Sequence, residues 1–416
     1  MGILEFFGIL FFLIAVFIII NEKYFRIPQS IEITLMAIFV SILSLGLDYL
    51  GILDFHGLGL VLLTEHIFSR VFLEGFLIYL LFASSLHVNG SYLRKESLLI
   101  FGLTTITVFL TTLIYGTILW LSFPFIGISI DWLTALIMGS LVANTDPIAV
   151  MSIFKKVGLS IKMETLISGE SLLNDGVGFT LFILLWNLKE AQIDLHPLAV
   201  VEVLSLEILG GILAGLLTGL VCIRMLKIIR DGAGAVMISI SIITLLLVFA
   251  NRFHFSGPLA SIVLGLMVGH QHQNITVLQN RKGEFYTFWA IVDKLLVSVL
   301  FVLIGLHLPV DRFSLAIFSA AGIAIGASLV SRYLSLLVPL VLLDPHHVIQ
   351  LGVQKTAILL TWSGLKGALS LALAVTLPAS IGGEFLVPVI YAVVVFSIVV
   401  QGLTVSALYR KLMKTI

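Results

Sequence analysis

The chain has 416 residues, 59% hydrophobic and only 11% charged, with a formal net charge of zero and a mean hydropathy of +1.17. Soluble proteins carry about 25% charged residues, so this is the composition of an integral membrane protein, and the balanced charge offers no basic surface for nucleic acid. The single cysteine, Cys222, lies in an apolar run, which excludes a disulfide framework and argues against a cysteine-ligated metal.

Apolar segments near the ~20 residues that a bilayer requires recur about thirteen times. They lie near 3–20, 28–46, 72–88, 98–122, 132–154, 165–186, 199–224, 235–250, 256–270, 288–309, 314–343, 355–377 and 383–408. The first run starts with an acidic rather than a basic residue and lacks a small-residue cleavage site, so it reads as a retained helix and not a signal peptide. Residues 47–71 are amphipathic and suit a membrane interface. No loop is long enough for a soluble domain. Loops after odd-numbered spans, with the C-terminal tail, hold fifteen Lys and Arg, against four in loops after even-numbered spans. By the positive-inside rule this places the C-terminus in the cytoplasm and the N-terminus outside.

Span five contains VANTDPIAV. Pro147 lacks an amide donor and drives Asp146 out of helical geometry, so the helix is expected to break there. Irregular backbone at membrane depth persists only where protein or a water-filled cavity surrounds it. An intramembrane acid is functional by default, although Asp146 could instead cap freed backbone groups at a proline kink.

Span six carries SGESLLNDGVG over 168–178. One charge at the centre of a membrane helix costs roughly 2.5–3.5 kcal/mol, so Glu170, Asn174 and Asp175 together need a reason. Residues three or four apart share a helix face, which gives two polar stripes, Ser171–Asp175 and Glu170–Asn174. The first offers a hydroxyl and a carboxylate, hard oxygen ligands that suit Na⁺. The second suits a fixed partner, and Arg332 in span eleven is the candidate, since a guanidinium pairs with a carboxylate in a planar fork. An acid held by Arg332 cannot cycle, whereas an acid without such a partner can trade a proton for a cation. Glu170 therefore reads as structural and Asp175 as the exchanging group. The alternative is one static buried network.

Span twelve is interrupted at TWSGLKGALS, with two glycines around Lys366, which can neutralise the end of a broken helix dipole or face the substrate. Spans five and twelve take equivalent places if spans 1–6 and 8–13 are two six-helix repeats, inverted because span seven separates them. Paired interrupted helices in inverted repeats point to a transporter's binding site.

The pairing of NTDPIAV with GESLLNDGVG resembles the NhaP-type sodium/proton antiporters, relatives of the eukaryotic sodium/hydrogen exchangers. FWAIVDKLLVSVLFVLIGLHL, SRYLS and TWSGLKGALSLALAVTLP fit the same family, and the likeness runs over about 70–405. The resemblance implies an all-α polytopic fold of thirteen helices. A core transport domain (98–186 and 314–408) would move against a dimerisation domain (1–90 and 235–309), with 199–224 as the linker helix. It also implies a plasma-membrane homodimer without a cofactor, exchanging Na⁺, or Li⁺ or K⁺, for H⁺. Asp175 would carry both ions in turn, with Asp146, Thr145, Ser171 and Asn174 around the site and Asp175, Ser171 and Thr145 as Na⁺ ligands. Glu170 and Arg332 would form the structural pair. Members with Asn-Asp, as at 174–175, resemble the electroneutral one-for-one exchangers.

Two positions depart from the family pattern. Ala83 in LLFASSLHV stands where the family often has an acid, and Lys366 stands where it usually has Arg. Two rival readings lack support in the chain. An intramembrane aspartyl protease would use Asp146 and Asp175, yet GxGD is absent. A passive cation channel would need a filter-like carbonyl repeat, and none is visible.

Overall fold

The computed structural model describes residues 3–25, 32–36, 38–39, 75–88, 96–146, 150–151, 154, 161–191, 197–271, 275, 278, 283–306, 314–343, 352–377 and 383–413. Most of the second predicted span, the amphipathic stretch 47–71, Glu74 and Pro147 lie outside them. Among the described residues the chain is helical, without strands. Among the described residues seven helices are long and apolar enough to cross a membrane, or eight if one bent pair counts as a single span.

In chain order the helices that matter here are α1 (Ile3–Ile20), α2 (Leu77–Ser85), α3 (Ser97–Ser122), α4 (Trp132–Ala143), α5 (Ile161–Ala191), α6 (Pro197–Ile228) and α7 (Gly232–Phe253). They continue with α8 (Gly257–His270), α9 (Glu284–Leu306), α10 (Leu315–Leu342), α11 (Val353–Ser363), α12 (Ala368–Val375), α13 (Gly383–Phe396) and α14 (Gly402–Met413). A π-helical turn, Ser397–Gln401, joins the last two. Side-chain caps in the sequence start several helices. Asp131 accepts from Thr134 N at 3.2 Å to open α4, and Asp231 from Gly234 N at 2.8 Å to open α7. Ser256 and Ser314 open α8 and α10 in the same way, so each satisfies an amide that the helix leaves unpaired.

Lipid tails are as apolar as leucine, so these helices associate through close packing rather than through exclusion of water. Small residues permit that approach. A methyl group added at Gly139 of α4 would sit 2.9 Å from Thr112 Cα of α3, and one at Gly269 of α8 only 2.7 Å from Leu86 O. The buried apolar residues form two clusters. One runs through α3–α5 and α10–α14 and reaches into α1, α2, α6, α8 and α9. The other is confined to α2 and α6–α9 with the segments joining them. Helix α6 buries only 28% of its most apolar stretch and α7 33%, against 61% for α5, so α6 and α7 line the periphery while α5 runs through the interior.

Two interruptions dominate the interior. Helix α4 stops at Ala143, and Asn144 is extended, with φ −62° and ψ 144°. Helices α11 and α12 meet at a 54° bend across Gly364–Gly367.

Candidate cation site

The two breaks cross. Asp146 N donates to Leu365 O at 2.7 Å, so one broken helix supplies the acceptor for the amide that the other has freed. The crossing is tight, because a side chain on Gly367 would run into Asp146 and one on Gly178 of α5 into Asn144 Oδ1. Freed backbone in the second break is met by the π-helical turn: Lys366 N donates to Ser397 Oγ at 2.8 Å, and Gln401 Nε2 donates to Thr361 O at 3.3 Å. Ser397 Oγ in turn donates to Gln401 Oε1, so a polar pair from the last span satisfies backbone groups that the break has freed.

A cavity of about 60 Å³ lies against this crossing. Its polar lining comes from Asn144, Thr145, Asp146, Asp175, Ser84 and Ser370, and its apolar wall includes Leu172, Val297, Leu300 and Phe301. Asp175 is partly accessible from it, and among the described residues its carboxylate has no hydrogen-bond partner. A carboxylate open to a small polar cavity can take either a proton or a small hard cation.

Glu170 is in the opposite situation. Arg332 Nη2 stands 2.7 Å from Glu170 Oε1, both side chains almost wholly buried, and Asn174 Nδ2 donates to the same oxygen at 2.6 Å. Thr104 Oγ1 donates to the Glu170 carbonyl at 3.3 Å. The second stripe of α5 is thus turned toward α3 and α10, away from the cavity.

Ser171 and Asn174 lie behind the cavity wall. Ser171 Oγ donates to Thr145 O at 2.6 Å, which leaves the Thr145 hydroxyl to donate to Ser171 Oγ at 2.7 Å. Asn174 Nδ2 also reaches Thr145 Oγ1, at 3.1 Å. Ser171 therefore holds the extended segment after α4 against α5 and does not share a cavity-facing stripe with Asp175. Thr145 and Asp146 do line the cavity, so oxygens from the α4 break share it with Asp175.

Lys366 is buried between the halves of the second break, with no hydrogen-bond partner for its Nζ among the described residues. Arg332 Nε and Nη1, Asn174 Oδ1 and both side-chain atoms of Asn144 are likewise unpartnered. Each such buried group costs about 1–3 kcal/mol.

Asn144, Ser370, Ser397 and Gln401 escaped the sequence reading. Asn144 lies inside VANTDPIAV, where the charge of Asp146 is the stronger signal. Gln401 is an amide followed by Gly402 in a largely apolar span, a weak signal in the linear sequence.

A helical membrane chain with two broken helices crossing beside a buried acidic cavity has the architecture of an ion-coupled secondary transporter. The family model described as sodium/hydrogen exchanger, transmembrane, matches residues 9–411, and the chain belongs to that family. It is 32% identical over 396 residues to the Na(+)/H(+) antiporter NhaP of Pseudomonas aeruginosa, covering 94% of this chain and 93% of the relative. It is 30% identical to the Na(+)/H(+) antiporter NhaH of Halobacillus dabanensis, over 96% of this chain and 95% of that one. Among solved structures, the sodium proton antiporter MjNhaP1 of Methanocaldococcus jannaschii shares its fold, with a TM-score of 0.80 at 18% identity over 99% of this chain and 100% of that one. The chain is thus a multi-pass membrane transporter of the Na⁺/H⁺ antiporter family and not an enzyme.

Proposed function

We propose that the chain exchanges one Na⁺ for one H⁺ by alternating access, electroneutrally, with the two ions competing for Asp175. One observation carries this reading: of the two acids in the middle of α5, Glu170 is fixed by Arg332, while Asp175 opens into the cavity without a fixed partner. Asp146 and Thr145 supply further oxygens, and Lys366 offsets negative charge at the break. Ser171 and Asn174 keep Thr145 in place. Because only one carboxylate cycles, each turnover moves one charge in either direction, and the membrane potential does no work on the pair.

We further assign α3–α5 and α10–α14 to a moving core and α1, α2 and α7–α9 to a scaffold that pairs with a second copy in the plasma membrane, C-terminus inside. The apolar cluster confined to α2 and α6–α9 supports that division for α2 and α7–α9.

Purified protein in sealed liposomes with an internal pH dye tests the exchange. Adding Na⁺ outside an acid-loaded lumen should alkalinise it at a rate indifferent to a clamped or free potential. Current without proton counterflow would instead mean a channel, and a rate that follows the potential would exclude one-for-one exchange.

A further inference from the structure

Asp293 on α9 is a carboxylate that the proposed cycle leaves unused. It is only partly buried within a membrane helix, and its Oδ1 accepts from Ser84 Oγ at 2.7 Å. Ser84, on α2, itself lines the cavity that holds Asp146 and Asp175. Asp293 is also on the cavity-directed stripe of its own helix. Val297, Leu300 and Phe301, at four, seven and eight residues further on, all line the cavity wall, and those intervals return to one face of an α-helix. The carboxylate is therefore one hydroxyl away from the cavity and one helical turn beyond its edge. The neighbouring Lys294 is exposed and on a different face, and no ion pair to Asp293 exists among the described residues.

A hydroxyl that donates to a carboxylate still has oxygen lone pairs to offer. A cation approaching along α2 and α9 would meet first the negative charge of Asp293, then the Ser84 oxygen, and then the cavity. We propose that Asp293 and Ser84 form the cation's approach site, with Asp293 a positioning residue that raises the local Na⁺ concentration at the cavity. A low-dielectric cleft lined by one sign of charge concentrates counter-ions by about tenfold or more. This inference rests on the reading of Asp175 as the exchanging carboxylate.

The test compares Asp293→Asn, which keeps the acceptor for Ser84 but removes the charge, with Asp293→Glu and Ser84→Ala. Equilibrium binding of radioactive sodium to purified protein reads affinity apart from transport, and liposome exchange reads half-saturation and maximal rate separately. For Asp293→Asn, Na⁺ affinity should fall and half-saturation rise by about tenfold, with less than about twofold loss of maximal rate. Asp293→Glu should restore most of the shift, and Ser84→Ala should give a smaller one. Unchanged sodium binding in Asp293→Asn would overturn the proposal. So would a parallel loss of maximal rate and thermal stability that Asp293→Glu fails to rescue, because that pattern belongs to a packing role. Exchange surviving in Asp175→Asn would remove the central assignment instead, while the binding comparison on Asp293 would still be decided on its own terms.

Discussion

Glu170 and Asp175 are five residues apart on one helix, yet they meet different surroundings, and each should fail differently. Asp175→Asn should abolish Na⁺-driven proton flux in liposomes while leaving the melting temperature within a few degrees of the parent. Glu170→Gln or Arg332→Ala should act first on stability. Removing one partner of a buried pair strands the other, at about 3–5 kcal/mol, so both variants should melt lower and yield less folded protein. Normal melting in both would contradict a structural role for the pair. The division was legible in the sequence, because residue spacing on α5 separates the two acids and one arginine lies within span eleven. The orientation of Ser171 was not legible. Helical spacing places it above Asp175, but its hydroxyl is claimed by Thr145, whose position just past the end of α4 depends on a helix break that no pattern of spacing describes.

At the scale of elements, the breaks rather than the helices are specialised. Pro147 and the glycines around Lys366 announced both, since proline and glycine act on the local chain. Their support was hidden, because Ser397 and Gln401 lie more than thirty residues downstream of the backbone they satisfy. Gln401→Leu removes both ends of that support and leaves Thr361 O and Ser397 Oγ short of a partner. It should lower stability by about 1–3 kcal/mol and slow exchange, as read by thermal unfolding and by liposome flux. Helix α4 is pinned at its other end by Asp131, which caps Thr134 and pairs with Lys189 at the end of α5. Partial burial pushes the Asp131 carboxyl up, but its bonds to Lys189 and Thr134 outweigh this and hold it below the usual carboxylate value. A lowered folded-state value means that the contribution is complete above the ordinary carboxylate range and is lost as pH falls through the folded value. Because half of the Asp131 side chain is exposed, the ion pair contributes only about 0–1 kcal/mol, and the cap about 1 kcal/mol more. Asp131→Ala should therefore lower the melting temperature slightly at pH 7, and the difference from the parent should shrink away in acid, where the parent has lost the same support.

At the scale of the molecule, hydropathy alone gave the class, and charge asymmetry between loops gave an orientation that accessibility labelling of the termini can check. Which helices belong together is another matter. Apolar faces look alike whether they meet lipid or protein, so the second cluster, confined to α2 and α6–α9, has no signature in the linear pattern. If that cluster belongs to the stationary part, cross-linking within it should leave exchange intact, whereas a cross-link between α5 and α8 should stop it. Exchange by the second variant would show that the two parts do not slide there.

The hydrogen bond from Asp146 N to Leu365 O gives the crossing a clock of its own. An amide just past the end of a helix ordinarily trades its hydrogen for deuterium quickly, because nothing holds it. Here the acceptor, Leu365 O, belongs to the break between α11 and α12, more than two hundred residues away, so the Asp146 amide should be among the slower ones in its neighbourhood. Its exchange rate then reports whether the two broken helices ever part company. Protection that persists through turnover would mean that they travel as one piece, and protection that collapses when Na⁺ is added would mean that the crossing opens with every ion carried.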